Sequence, residues 1–275
     1  MHRLQWAVSH NSYDTPQQEV SAGLPFVVSA FYDAGFRGIE LDINRDIDNP
    51  SRPEWCVNHG QGFDRKYKLL SSYLIDLQTW SRSYLGKLPH EPLFVHLDCK
   101  DFDVDEAFAS ELDTYLLRYL PNQPIYRPKE VLNRNLDLMQ SAMSLGWNSP
   151  AMLAGRLLFV LTGAPQPKAQ YARSNPSERV CFADLDIDFA FDTTIGTRIL
   201  ANDDAFIDHS GFDFGGWCSE QKGILWRLYY ASTDEEFAGF SARGANMVAA
   251  ATAVALPARG FWLNPSNDPG SHSVA

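Results

Sequence analysis

Long hydrophobic runs are missing from this chain of 275 residues. None approaches the roughly 18–20 apolar residues that span a bilayer. The most apolar stretch, Met247 to Pro257, is short and rich in alanine. The first residues carry no basic segment followed by an apolar one, so no secretory signal is legible. An integral membrane protein is not expected. A cytoplasmic location and secretion with a removed signal both stay open. Basic residues are in deficit: 23 Lys and Arg face 34 Asp and Glu, for a net charge of −11. No nucleic-acid partner is expected, because such binding rests on cations that neutralise phosphates. Tight electrostatic adhesion to anionic membranes is disfavoured for the same reason, and no protein partner is implied. Cysteine is scarce, and Cys56, Cys99, Cys181 and Cys218 form no CxxC pair. A structural zinc site is therefore not expected, and buried free thiols are preferred over disulfides. A GxGxxG or GxxxxGK[ST] loop is absent too, which weighs against an open nucleotide-binding sheet. No low-complexity linker divides the chain. One domain over 1–263 is expected, followed by a polar tail at 264–275.

What the chain does contain is an alternation of short strands and helices. Strands are expected at Leu4–Val8, Phe36–Ile43, Leu93–Leu97, Arg156–Thr162, Val180–Ala183, Ala205–Asp208, Ile224–Tyr230 and Asn246–Ala250. Helices are expected over Leu69–Tyr84, Val104–Leu120, Val131–Leu145 and from a capping box at Thr233 to Glu236, ending at Gly244. Such repetition over about 250 residues points to a parallel (β/α)8 barrel. A doubly wound sheet is the alternative.

Polar residues gather at the strand ends, where a barrel places its chemistry. Glu40 and Asp42 alternate on one strand and share a face. Two carboxylates so close raise each other's pKa unless a cation lies between them. A metal is the preferred reading, and salt bridges from Arg37 or Arg45 are the alternative. Asp98 offers a third carboxylate, and Asn11 either an amide oxygen or a turn residue in His10-Asn11-Ser12. Such an oxygen set suits Ca²⁺, with Mg²⁺ as the alternative. His10 and His59 lie just beyond strands and fit a proton-transfer pair. Lys100 can face the same cleft, on a phosphate or in a surface salt bridge. Arg227 and Tyr229 share a strand face and fit a phosphate and a ring to be stacked. His96 alternates along its strand and is expected to point away from the barrel interior. His2, His90 and His272 take a bland reading, and so does His209, the least clear of the four. Asp184, Asp186 and Asp188 form a candidate acidic rim.

Taken together these residues resemble a known family. Ser9-His10-Asn11-Ser12-Tyr13, Gly38-Ile39-Glu40-Leu41-Asp42 and Val57-Asn58-His59-Gly60 are similar to the catalytic barrel of calcium-dependent phosphoinositide-specific phospholipases C. The strand Leu93–Asp98, Trp226-Arg227-Leu228-Tyr229 and Gly244–Ala249 extend the resemblance over nearly the whole barrel. It implies a distorted TIM barrel of the PLC-like phosphodiesterase type. It also implies calcium on Asn11, Glu40, Asp42 and Asp98, and cleavage of phosphatidylinositol through a cyclic phosphate. By the same resemblance His10 stabilises the crowded phosphorus oxygens and His59 protonates the departing diacylglycerol. Glu40 or His10 is then the general base. A phospholipid substrate brings transient contact with a membrane surface.

Three departures stand out. Gly155–Thr162 lacks the lysines that read extra ring phosphates, which favours a simpler headgroup. No membrane-targeting accessory domain, and no long acidic linker splitting the barrel, is expected within these residues. Asp98 stands where glutamate is more usual. The rival readings are a glycerophosphodiester phosphodiesterase-like or sphingomyelinase D-like enzyme on the same barrel. A barrel that binds a phospholipid or sugar phosphate without turning it over is a further rival.

Overall fold

Apolar runs buried on both faces form the strands, as expected where helices cover a parallel sheet. The computed structural model describes residues 4–13, 28–49, 53–60, 62–100, 102–133, 135–185, 198–204, 223–250, 256 and 260–263. Eight parallel strands close into a barrel. They are β1 (Leu4–Ser9), β2 (Gly38–Arg45), β4 (Leu93–Cys99), β5 (Leu157–Gly163), β6 (Phe182–Leu185), β7 (Arg198–Asp204), β8 (Leu225–Ala231) and β9 (Met247–Ala250). Pairing of β1 with both β9 and β2 completes the ring and excludes the open doubly wound sheet. Gly38 is the residue that permits closure, because a Cβ there would lie 2.7 Å from a methyl of Val8, its partner on β1. Two short antiparallel strands flank the ring. β3 (Trp55–Val57) folds back on β2, and β10 (Trp262–Leu263) pairs with β1.

Helices α1 (Val28–Ala34), α2 (Leu70–Arg82), α3 (Phe108–Tyr119), α4 (Leu138–Leu145), α5 (Pro165–Ala172) and α6 (Asp234–Ala242) surround the strands. α2 turns Leu70, Tyr73, Leu74, Leu77 and Trp80 inward at the spacing its sequence predicts. α6 starts at the Thr233–Glu236 capping box. Two helices begin later than their patterns predict, for local reasons. Asp105 forms a turn that delays α3 until Phe108. A 3-10 turn at Pro128–Glu130 and a cap at Asp137 hold α4 back to Leu138. The seventh strand is Arg198–Asp204; the strand expected at Ala205–Asp208 lies outside the described residues. So do the tail at 264–275, Asp186, Asp188, Cys218, His2, His209 and His272. Cys56, Cys99 and Cys181 are buried free thiols. No helix among the described residues is long and apolar enough to cross a membrane.

Candidate active site

Register brings the carboxylates together. On neighbouring strands Glu40 pairs with His96, and Asp42 with Asp98. One oxygen from each of Glu40, Asp42 and Asp98 lies within 4.8 Å of the others. Above them opens a cavity of about 300 Å³. His10, Asn11, Glu40, His59, Asp98, Lys100, Arg227 and Tyr229 line it, and Asp42 is fully buried beside Asp98.

The N-terminal part of the site is stapled by Ser12. Its hydroxyl donates to Ser9 O at 2.7 Å and accepts from Glu40 N at 3.1 Å, which ties the end of β1 to β2. Asn11 takes a left-handed backbone, φ 50°, a conformation that asparagine tolerates better than most residues. His59 arrives by another route. β3 doubles back along β2, and Asn58 N donates to Asp42 O at 3.0 Å. The buried Asn44 then clamps the loop: its amide donates to Asn58 O and Gly60 O and accepts from Gly62 N.

Neither Arg37 nor Arg45 balances the carboxylates, since Arg37 pairs with Glu91 and Arg45 with Glu111. Arg227 pairs instead with Glu40 and donates to Asn202 at 2.7 Å. Burial is the largest single influence on the Glu40 carboxyl and would raise it, but Arg227, His10, His96 and Lys100 together overcome it and hold it at about 2. Arg227, read from the sequence as a phosphate ligand, lines the cavity with its guanidinium paired to Glu40. Lys100 sets its ammonium 2.8 Å from Asp42 and 2.8 Å from Asp98, so it is neither a surface salt bridge nor a free cation. Burial and the neighbouring Asp98 and Glu40 push Asp42 up to about 8 despite Lys100. One Asp42 oxygen accepts from the Tyr13 hydroxyl at 2.7 Å; the other is buried without a partner. Burial lowers His10 below the ordinary histidine value, although Glu40, 3.5 Å away, opposes the shift. His59 is lowered by burial and by Lys100.

The donor set fits a divalent cation. Three carboxylates converge, an amide lies at the rim, and one buried acceptor has no donor. The end of β5 shapes the same place: a Cβ on Gly163, φ +90°, would meet Asp98 Oδ1 at 2.7 Å and Cys99 O at 2.4 Å. Thr162 steadies Asp98 by donating to its other oxygen at 3.1 Å.

The chain was compared with known proteins. A calcium-dependent phosphoinositol-specific phospholipase C from a Pseudomonas species aligns with 95% of this chain and 94% of its own, at 18% identity and TM-score 0.73. A Ca²⁺-dependent phosphatidylinositol-specific phospholipase C from Streptomyces antibioticus covers 92% and 94%, at 16% identity and TM-score 0.67. The chain has the fold of the PLC-like phosphodiesterases. A glycerophosphodiester phosphodiesterase from Parabacteroides distasonis shares this PLC-like barrel more distantly, at 10% identity and TM-score 0.55 over 90% of this chain and 92% of its own. No protein-family model and no curated protein matches the sequence.

Several residues of this cavity were not legible as such. His96 shares a strand face with Asp98 and Phe94, so it points into the barrel, contrary to the sequence expectation. It is fully buried, and neither ring nitrogen has a hydrogen-bond partner among the described residues. Burial drives its pKa well below the ordinary value, so the ring is neutral beneath Glu40. Asp184 is no acidic rim: it is buried and paired with Lys168 of α5 at 2.6 Å, and both line the cavity. Tyr230 lines it beside Tyr229, because a register shift in β8 and a φ of 76° break the alternation. The ring of Tyr230 meets His10 edge-on at 4.9 Å. His90, given a bland reading from the sequence, is buried in an aromatic cluster with Trp80, Tyr84 and Tyr32, away from the site.

Proposed function

We propose that this chain is a calcium-dependent phosphodiesterase that cleaves phosphatidylinositol or a related inositol phospholipid. The products are diacylglycerol and an inositol phosphate formed through a cyclic phosphate. One observation carries the reading: two imidazoles, His10 and His59, reach one cavity from separate strand ends, above three converging carboxylates. The barrel likeness to phosphodiesterases supports the reaction class.

Asn11, Glu40, Asp42 and Asp98 would hold the cation, Ca²⁺ or alternatively Mg²⁺. When bound, it supplies positive charge that acidifies the attacking hydroxyl and offsets charge building on the phosphate. The protein's own groups do the rest. His10 is neutral because it is buried, so its ring is in the form that accepts a proton or shares a hydrogen bond with phosphate oxygens. Glu40, held at about 2 by Arg227 with His10, His96 and Lys100 against the effect of burial, is a poor base and serves as a fixed negative charge. That favours His10 over Glu40 as general base. His59 stands on the more exposed rim, within reach of solvent and of a leaving group at the membrane side. In its protonated form, a minor one at neutral pH because burial and Lys100 lower its pKa, it would deliver a proton to the departing diacylglycerol oxygen. Tyr229, with Tyr230, supplies aromatic surface for the ring of the headgroup.

The test separates the proton carriers from the metal ligands. His10→Ala and His59→Ala should each lower kcat by about 10²–10⁴, the usual worth of a positioned acid or base. Calcium binding, read by calorimetry, should persist in both. Wild-type turnover in the His59 variant would sink its role. Release of glycerol phosphate or ceramide phosphate in place of a cyclic inositol phosphate would move the substrate to the rival headgroups.

A further inference from the structure

Among the described residues, the charges on the floor of the cavity pair with one another. Glu40 is neutralised by Arg227, which is held in turn by Asn202 and is almost wholly buried. Lys168 and Asp184 neutralise each other. Asp42 and Asp98 share one cation, the Lys100 ammonium, at 2.8 Å from each. Counted as ionised, three carboxylates against Arg227 and Lys100 leave one negative charge in excess. A divalent cation alone reverses that sign. A divalent cation together with a phosphodiester monoanion brings the floor to neutrality.

The two side-chain cations are not equivalent. Arg227 is planar, locked by two partners and buried. Lys100 lies directly after β4, its backbone fixed by a hydrogen bond to Ile43 O, with a flexible stem at the cavity edge. Its head can turn into the cavity without disturbing a strand. Its partner Asp42 keeps a second oxygen that is buried and unpartnered. That oxygen is a ligand site left open beside the ammonium.

We propose that Lys100 is an exchangeable internal cation, resting on Asp42 and Asp98 until a divalent ion takes its place and then turning to the substrate's phosphate. This rests on the metal reading above and adds to it a coupling between the two ligands. A divalent ion entering alone must displace an ammonium of like sign, which weakens its binding. A phosphodiester gives the displaced ammonium a new partner, so each ligand tightens the other by the same factor. Among the described residues Lys100 is the one cation lying within hydrogen-bond reach of two of the three carboxylates.

The experiment is calcium titration by calorimetry of the wild type, Lys100→Met and Lys100→Gln, with and without dimethyl phosphate as an uncleaved phosphodiester anion. Thermal melting confirms that the variants fold. Lys100→Met should bind Ca²⁺ about tenfold more tightly than the wild type, within the usual range of couplings between ligands. Dimethyl phosphate should tighten calcium in the wild type, and this gain should vanish in both variants. Equal or weaker calcium binding in two folded variants overturns the proposal while the metal site stands. An undiminished phosphate effect in the variants does the same. If no protein binds Ca²⁺, the metal reading fails and the proposal falls with it.

Discussion

At Asn44 a single buried amide uses two donors and one acceptor on the loop that carries His59. It is buried and does not line the cavity, so its effect must be positional. Asn44→Ala frees the loop and leaves two backbone carbonyls without their donor. Turnover should fall about tenfold, as small misplacements of a catalytic group do, while calcium affinity stays at the wild-type value. A kcat unchanged in this variant would remove Asn44 from the account. The same scale shows what the sequence could and could not disclose. His10, Asn11, Glu40, Asp42, Asp98 and His59 were legible because they sit at the ends of apolar runs, and strand ends are where a barrel opens. The partner of each charge was not legible. Arg227 and Lys100 lie 187 and 58 positions from the carboxylates Glu40 and Asp42 they hold, and only strand order brings them together. His96 fails as an expectation through parity, since two residues before Asp98 on a strand is the same face. Tyr230 escapes because a bulge cannot be read from alternation.

Elements with strong local signals stand where the sequence puts them. β4 and β5 are strands of mostly apolar residues, α2 has a clean helical stripe, and α6 opens on a capping box. The weak ones are polar or short. β7 reads Arg-Ile-Leu-Ala-Asn-Asp-Asp and becomes a strand because β6 and β8 pair with it on either side. α1 spans seven residues, too few for a periodic signal. The end of β5 carries a prediction of its own. Gly163 holds φ +90°, and a methyl there would strike Asp98 Oδ1 and the Cys99 carbonyl. Gly163→Ala should cost about 1–3 kcal/mol for the strained backbone. It should also weaken calcium binding by moving Asp98. Denaturant unfolding and calorimetry read the two effects separately. A variant with native stability and native metal affinity would show that Gly163 does not shape the site.

Across the whole molecule, closure of eight strands is what turns scattered polar residues into one site. β1 supplies His10, β2 the carboxylate pair, β3 the approach of His59, β4 Asp98 and Lys100, and β8 Arg227. No pair of neighbouring strands holds the full set, so activity depends on the intact ring. The net charge of −11 sits badly with tight attachment to an anionic membrane. If the proposed function holds, contact with a phospholipid surface should therefore be brief. The most direct measurement is hydrolysis of phosphatidylinositol vesicles followed by ³¹P NMR, with calcium and then with excess chelator. A cyclic inositol phosphate should appear with calcium, and its formation should stop on chelation. The same product formed at the same rate in excess chelator would contradict it.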